Sequence, residues 1–125
     1  MDFVPDVLNE KCQSRLALSH VTNRWGPLVL IALMDGDLRF SALRRRIGGV
    51  SERMLTQSLR LLEGDGLIER IAHQVVPPHV DYRLTPMGEE IAKNVLTLAR
   101  CLESNLGEIM RFRKLRAEAT SDGSA

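Results

Sequence analysis

Sulfur, aromatic rings and long apolar runs are all scarce in this chain. Its 125 residues hold two cysteines, Cys12 and Cys101. No CxxC pair and no Cys/His cluster has the spacing of a metal site, and two thiols do not make a disulfide scaffold. No metal and no cofactor are expected. Aromatic residues make up 4%, so the single Trp25 reads as a core or interface anchor rather than as part of a stacking platform. The longest strictly apolar run, Leu28–Met34, is far shorter than a bilayer span. The first residues carry Asp2, Asp6 and Glu10 and lack a signal-peptide pattern. The expectation is a reduced, soluble, cytoplasmic protein without a membrane partner. Catalytic groups are missing as well. There is no nucleophile–base pair, no Gly-rich phosphate loop and no carboxylate pair set on one face, so no enzyme is expected. Glu63, Asp65, Glu89 and Glu90 read as surface charge. His73 and His79 lack a third ligand nearby in sequence, and His20 reads as packed or capping.

What is present is a core and an uneven distribution of charge. Hydrophobic residues make up 44% of the chain, enough for one compact domain. Formal net charge is only +1. Between Arg39 and Arg60, however, six arginines (39, 44, 45, 46, 53 and 60) face one acid, Glu52. A local basic patch on a near-neutral chain is the electrostatic footprint of a nucleic-acid reader.

The spacing of apolar residues predicts mainly helices. Residues 1–11 read as an N-terminal arm, Cys12–Val21 as a short helix, and Arg24–Met34 as a buried helix stopped by Asp35-Gly36-Asp37. Phe40, Leu43 and Ile47 define a helix over Arg39–Ile47, and Gly48-Gly49 turns the chain. Ser51 caps the next helix, with Glu52 in its first turn and Met54, Leu55, Leu59 and Leu62 facing inward. Gly66 ends it. Residues 67–76 and 80–84 read as two strands, with Pro77-Pro78-His79 at an extended hairpin tip. Thr85-Pro86 starts a long helix to about residue 116, and 117–125 reads as a disordered tail.

Two helices joined by a glycine turn, then a hairpin, make a helix-turn-helix with a wing. The fold expected over residues 12–116 is therefore mainly α with a small β-hairpin, with a dimerisation helix over about 86–116. A helix that enters the major groove needs hydrogen-bonding side chains near its N-terminal half. Here those are Ser51, Arg53, Thr56, Gln57 and Arg60. Arg bonds guanine bidentately and Gln bonds adenine. Arg39, Ser41, Arg44, Arg45 and Arg46 on the preceding helix are placed for phosphate. Ser51 reads first as a helix cap, with a contact near phosphate compatible with that role. A solvated basic face remains the plain alternative for all of them. Ile91, Val95, Leu98, Leu102 and Ile109 fall on a coiled-coil-like seam that suits a homodimer, with Asn105 in one slot and Gly107 as a bend or break.

Four motifs stand in order along the chain: R-F-x-x-L from Arg39, S-x-R-M-L-T from Ser51, L-x-x-L-E-x-D-G-L from Leu59 and V-P-P-x-V-x-Y-x-L-T-x-x-G from Val76. With Cys12 and Arg24-Trp25, they resemble the HxlR-type winged-helix regulators, related to the MarR-like group, over residues 12–103. The resemblance implies a dimeric regulator, a repressor or an activator, on a double-stranded operator. In some members a cysteine at this place is a redox or electrophile sensor, which makes Cys12 a candidate sensor, with Lys11 and Arg15 near enough to lower a thiol pKa. A packed, unused thiol is the alternative. The resemblance also implies a DNA contact from the wing position after the two prolines; arginine is common there, and this chain departs from the family with His79. A winged helix that binds a protein instead of DNA is the competing reading, and no small-molecule effector can be named.

Overall fold

The computed structural model describes residues 4–123. It comprises six helices, one 3-10 turn and a three-stranded sheet, and falls into two units that meet at Val95/Leu96. No helix among the described residues is long and apolar enough to cross a membrane.

In the first unit, residues 6–12 form hydrogen-bonded turns. Asn9 N–H bonds the Asp6 carbonyl and Cys12 N–H bonds the Asn9 carbonyl, each at 3.0 Å. Helix α1 (Gln13–Thr22) follows, then α2 (Gly26–Ala32) with Pro27 in its first turn, where its missing N–H costs nothing. A 3-10 turn over Leu33–Asp35 closes α2. Strand β1 is only Leu38–Arg39. Helix α3 is Phe40–Arg46, and Gly49 turns the chain at φ +84°, a conformation that suits glycine. Helix α4 is Glu52–Gly64. Strands β2 (Ile68–His73) and β3 (His79–Leu84) form the hairpin, and α5 begins at Pro86.

The sheet order is β1-β3-β2, antiparallel throughout. Leu38 lies opposite Tyr82 and Arg39 opposite Asp81. The hairpin is thereby stitched to the start of α3, and Arg83 donates from Nη2 and Nε to one carboxylate oxygen of Asp37 at 2.7 and 3.1 Å. The core gathers one face of each helix: Val29 and Leu30 of α2, Leu43 of α3, Leu55 and Leu62 of α4, and Ile68 of β2 are almost fully buried. Trp25 belongs to this core. His20 closes one side, with its Nδ1 2.6 Å from Asp65 at the end of α4. Thr85 caps α5 by accepting from the Gly88 N–H at 3.0 Å. At Gly88 the helix runs so close to the Leu67 carbonyl that a Cβ would overlap it.

The second unit starts at Leu96. It holds the rest of α5, which ends at Ser104, and α6 (Leu106–Gly123).

The structure departs from the sequence reading at five places. Arg39 is in an extended strand rather than in a helix, because β3 supplies it with a pairing partner. Strand β2 stops at His73 instead of 76, so the hairpin tip is longer. Met54 is not a core residue and is 40% exposed. It precedes the inward Leu55 by one residue, about 100° around the helix. The long helix is interrupted at Asn105, whose side-chain amide donates to the Cys101 carbonyl at 2.8 Å instead of standing in a seam. The expected tail is helical from 117 to 123, since Ala117, Glu118 and Ala119 are strong helix formers that extend α6. The last two residues of that tail, like residues 1–3 of the arm, lie outside the described part.

Candidate nucleic-acid interface

The helix-turn-helix is α3 and α4, and its geometry follows from four buried residues. Leu43, Ile47 and Val50 pin α3 and the turn to the core, and Leu55 pins α4. The Ser51 hydroxyl accepts from the Met54 N–H at 3.1 Å, so this side chain does cap the helix. With Leu55, Ser58, Leu59 and Leu62 inward, the opposite face of α4 carries Glu52, Arg53, Gln57 and Arg60 into solvent. Thr56 is half-buried and its hydroxyl is spent on the Glu52 carbonyl at 2.8 Å. Glu52, Arg53, Thr56, Gln57, Arg60 and Leu61 line one shallow cleft. Phe40, Ser41, Arg44, Arg45, Val50 and Glu52 line a second. Glu52 belongs to both, so the two clefts adjoin across the turn.

The arginines differ in how free they are. Among the described residues, the side chains of Arg39, Arg45, Arg53 and Arg60 make no hydrogen bond or ion pair. Arg46 is paired with Asp35 at 2.9 Å, in an exposed bridge that a stronger anion can displace. Arg44 reaches the Val50 carbonyl across the turn at 3.4 Å. The structure therefore brings Arg39, Ser41, Arg44, Arg45, Arg46, Ser51, Arg53, Gln57 and Arg60 to solvent on one helix-turn-helix. Thr56 is set back behind them.

His79 does not stand free at the wing tip. Its ring stacks on His73 with centroids 4.5 Å apart, and its Nε2 lies 3.8 Å from an Asp81 carboxylate oxygen. His73 Nε2 is bonded to the same oxygen at 2.8 Å. The third donor that the sequence reading lacked is Asp81. It is two residues from His79 and so on the same face of β3; only the strand register shows His73 opposite.

Cys12 is half-buried and precedes the first residue of α1. Its thiol is held below the ordinary range, first by the Ser14 hydroxyl at 3.0 Å and then by the Asp6 and Ser14 backbone, against a smaller opposing effect of burial and the Asp6 charge. Lys11 and Arg15, the cations expected to do this, are not among the causes. Cys101 is exposed.

The seam residues divide between the units. Ile91 and Val95 are half-buried against the core of the first unit. In the second unit Ile109 is half-buried, whereas Leu98 and Leu102 are 57% and 53% exposed.

A helix-turn-helix followed by a two-stranded wing is the framework of winged-helix transcriptional regulators, and this chain has it from α3 to β3. The profile of the HxlR-like helix-turn-helix family matches residues 20–110. The HTH-type transcriptional regulator YtfH of Escherichia coli K12 is 57% identical over 108 residues, 86% of each chain. The structure of YtfH from Salmonella typhimurium superposes with a TM-score of 0.83 at 51% identity, covering 89% of this chain and 99% of that one. The redox regulator HypR in its reduced form gives 0.72 at 32% identity, covering 79% and 98%. The chain belongs to the HxlR-like family of helix-turn-helix transcriptional regulators, which are not enzymes.

Proposed function

We propose that this regulator reads a specific operator as a homodimer and that Cys12 makes its DNA affinity respond to oxidants or electrophiles. The observation that carries the first part is the exposed face of α4. Arg53, Gln57 and Arg60 have no intramolecular partner among the described residues, on a helix fixed by its cap and by four buried side chains. In this reading Gln57 and Arg60 contact base edges, and Arg53, Arg39, Ser41 and Arg44–Arg46 hold phosphate. Ser51 orients the helix. His79 on the wing lies near the backbone.

The homodimer rests on exposed apolar side chains in the second unit. Leu98, Leu102, Leu106, Met110 and Phe112 are each half or more exposed, a quantity of apolar surface that water disfavours. A second copy of the same helices is the occupant proposed, with Leu98, Leu102 and Ile109 central; Ile91 and Val95, the other two residues of the expected seam, are half-buried against the core of the first unit. Two-fold pairing sets two copies of α4 for successive major grooves, about 34–36 Å apart. The redox part rests on the lowered thiol of Cys12 and on the kinship with HypR, a redox regulator. Only the thiolate attacks an electrophile or a disulfide, so the Ser14 and Asp6 hydrogen bonds raise the reactive fraction.

The test is fluorescence anisotropy with duplex DNA from upstream of the protein's own gene and with a shuffled duplex, at two salt concentrations. Tight binding to the first alone, with a steep salt slope, is expected. Diamide, which takes two hydrogens from a pair of thiols and leaves a disulfide, should change that affinity, and Cys12→Ser should abolish the change. Absence of duplex binding even at low salt would refute the proposal and favour a protein partner.

A further inference from the structure

In an antiparallel hairpin, two residues directly opposite share a face, and a residue two positions along joins them there. His73 and His79 are the last opposed pair of the wing, and Asp81 is the residue two positions along. The three side chains are between 19% and 35% exposed, so they are sheltered without being sealed. Their donor atoms lie within 4.8 Å of one another. Arg39, the register partner of Asp81 on β1, makes no ion pair with it; the carboxylate is turned to the histidines instead.

We propose that His73, His79 and Asp81 bind one divalent transition-metal ion of the zinc type on the wing of each protomer. Two imidazoles and a carboxylate, with no thiolate, suit Zn2+ and its borderline neighbours better than Mg2+ or Ca2+. Metal–ligand bonds of about 2.0–2.2 Å in a tetrahedron place donors about 3.3–3.5 Å apart. The distances of 2.8 Å (His73–Asp81) and 3.8 Å (His79–Asp81) straddle that value and all three donors lie within 4.8 Å of one another, so side-chain rotations without backbone movement complete the site. Stacking holds the two rings together in advance. Three protein ligands leave the fourth position to solvent.

The ion changes the charge of the wing. Zinc binds imidazole in its neutral form, so the loaded cluster carries +1 where the carboxylate alone carries −1. On a wing that approaches phosphate, this replaces a repulsion by an attraction. The effect on DNA rests on the operator-binding reading above; the metal site does not.

The experiment uses the full chain with Cys12→Ser and Cys101→Ser, which removes competing thiols. Calorimetric titration with Zn2+ should give one ion per protomer. Adding His79→Ala or Asp81→Asn should weaken binding at least about tenfold, with the fold checked by circular dichroism. No binding, or equal binding in both variants, would overturn the site. Anisotropy with a duplex is then measured in Zn2+ and in EDTA. Affinity should be about tenfold higher with Zn2+ at moderate salt, and Asp81→Asn should erase the response. Equal affinity in the two conditions would overturn the role of the ion on the wing. A protein that binds Zn2+ but no duplex in either condition upholds the site and removes the operator reading; one that binds duplex but no Zn2+ does the reverse.

Discussion

Removing the Arg45 guanidinium isolates the phosphate contribution of the helix-turn-helix. The side chain is exposed and, among the described residues, without a partner, so Arg45→Ala should leave stability unchanged. Each phosphate neutralised contributes about 0.9 to the slope of log K against log salt on duplex DNA. The five arginines assigned to phosphate, at 39, 44, 45, 46 and 53, in each half of a dimer would give a slope of up to about −9. Arg45→Ala removes one contact per protomer, so the slope should become shallower by about 1.8. Between 50 and 200 mM salt, the loss of affinity should then be about tenfold smaller than for the parent. Anisotropy titrations at four salt concentrations measure this directly. A shuffled duplex should show the same change, because phosphate carries no sequence information. An unchanged slope would show that α3 does not face the backbone, and the placement of the whole motif on DNA would have to be abandoned.

Other side chains give independent tests. Gln57→Ala or Arg60→Ala should cost about 1–3 kcal/mol of specific affinity and relax one operator position, with shuffled DNA far less affected; a uniform loss would move the residue to phosphate. Gly88→Ala forces a methyl group into the Leu67 carbonyl. Overpacking of this kind costs about 3 kcal/mol or more, which a thermal melt would register as a drop of about 10 °C; a melt within 2 °C of the parent would refute the close approach. Ser14→Ala removes the main cause of the lowered Cys12 thiol, so the pH midpoint of its alkylation should move upward. Below that midpoint the thiolate fraction, and the rate with it, should fall; an unmoved midpoint would return the effect to the backbone. Leu98→Glu with Leu102→Glu should convert the dimer to a monomer in sedimentation equilibrium, and an unchanged mass would place the interface elsewhere.

The helix-turn-helix was legible because local patterns determine it. Phe40, Leu43 and Ile47 share one face by spacing alone, Gly49 needs its positive φ, and Ser51 bonds an amide three residues on. What escaped the sequence depends on distant partners. Strand β1 is two residues long, too short to show a period, and exists because β3 lies beside it some forty residues later in the chain. The His73–His79–Asp81 cluster needs the hairpin register, and an end of β2 placed at 76 instead of 73 hides it. The Cys12 thiol was read from nearby cations, whereas a hydroxyl two residues on and a backbone amide from the preceding turn act on it. Asn105 fits a heptad slot by counting, but its amide finds a carbonyl on its own helix first.

The order β1-β3-β2 also limits how the chain can aggregate. Among the described residues its longest strands are six residues, and β3 is paired with β2 along its whole length and with β1 at Asp81 and Tyr82. One outer edge is the two-residue β1; the other is β2, where Glu69 and Arg70 project into solvent. A foreign strand would find either too little backbone to grip or charge in its way. The sheet therefore offers little purchase for growth by strand addition, even where copies meet at high concentration.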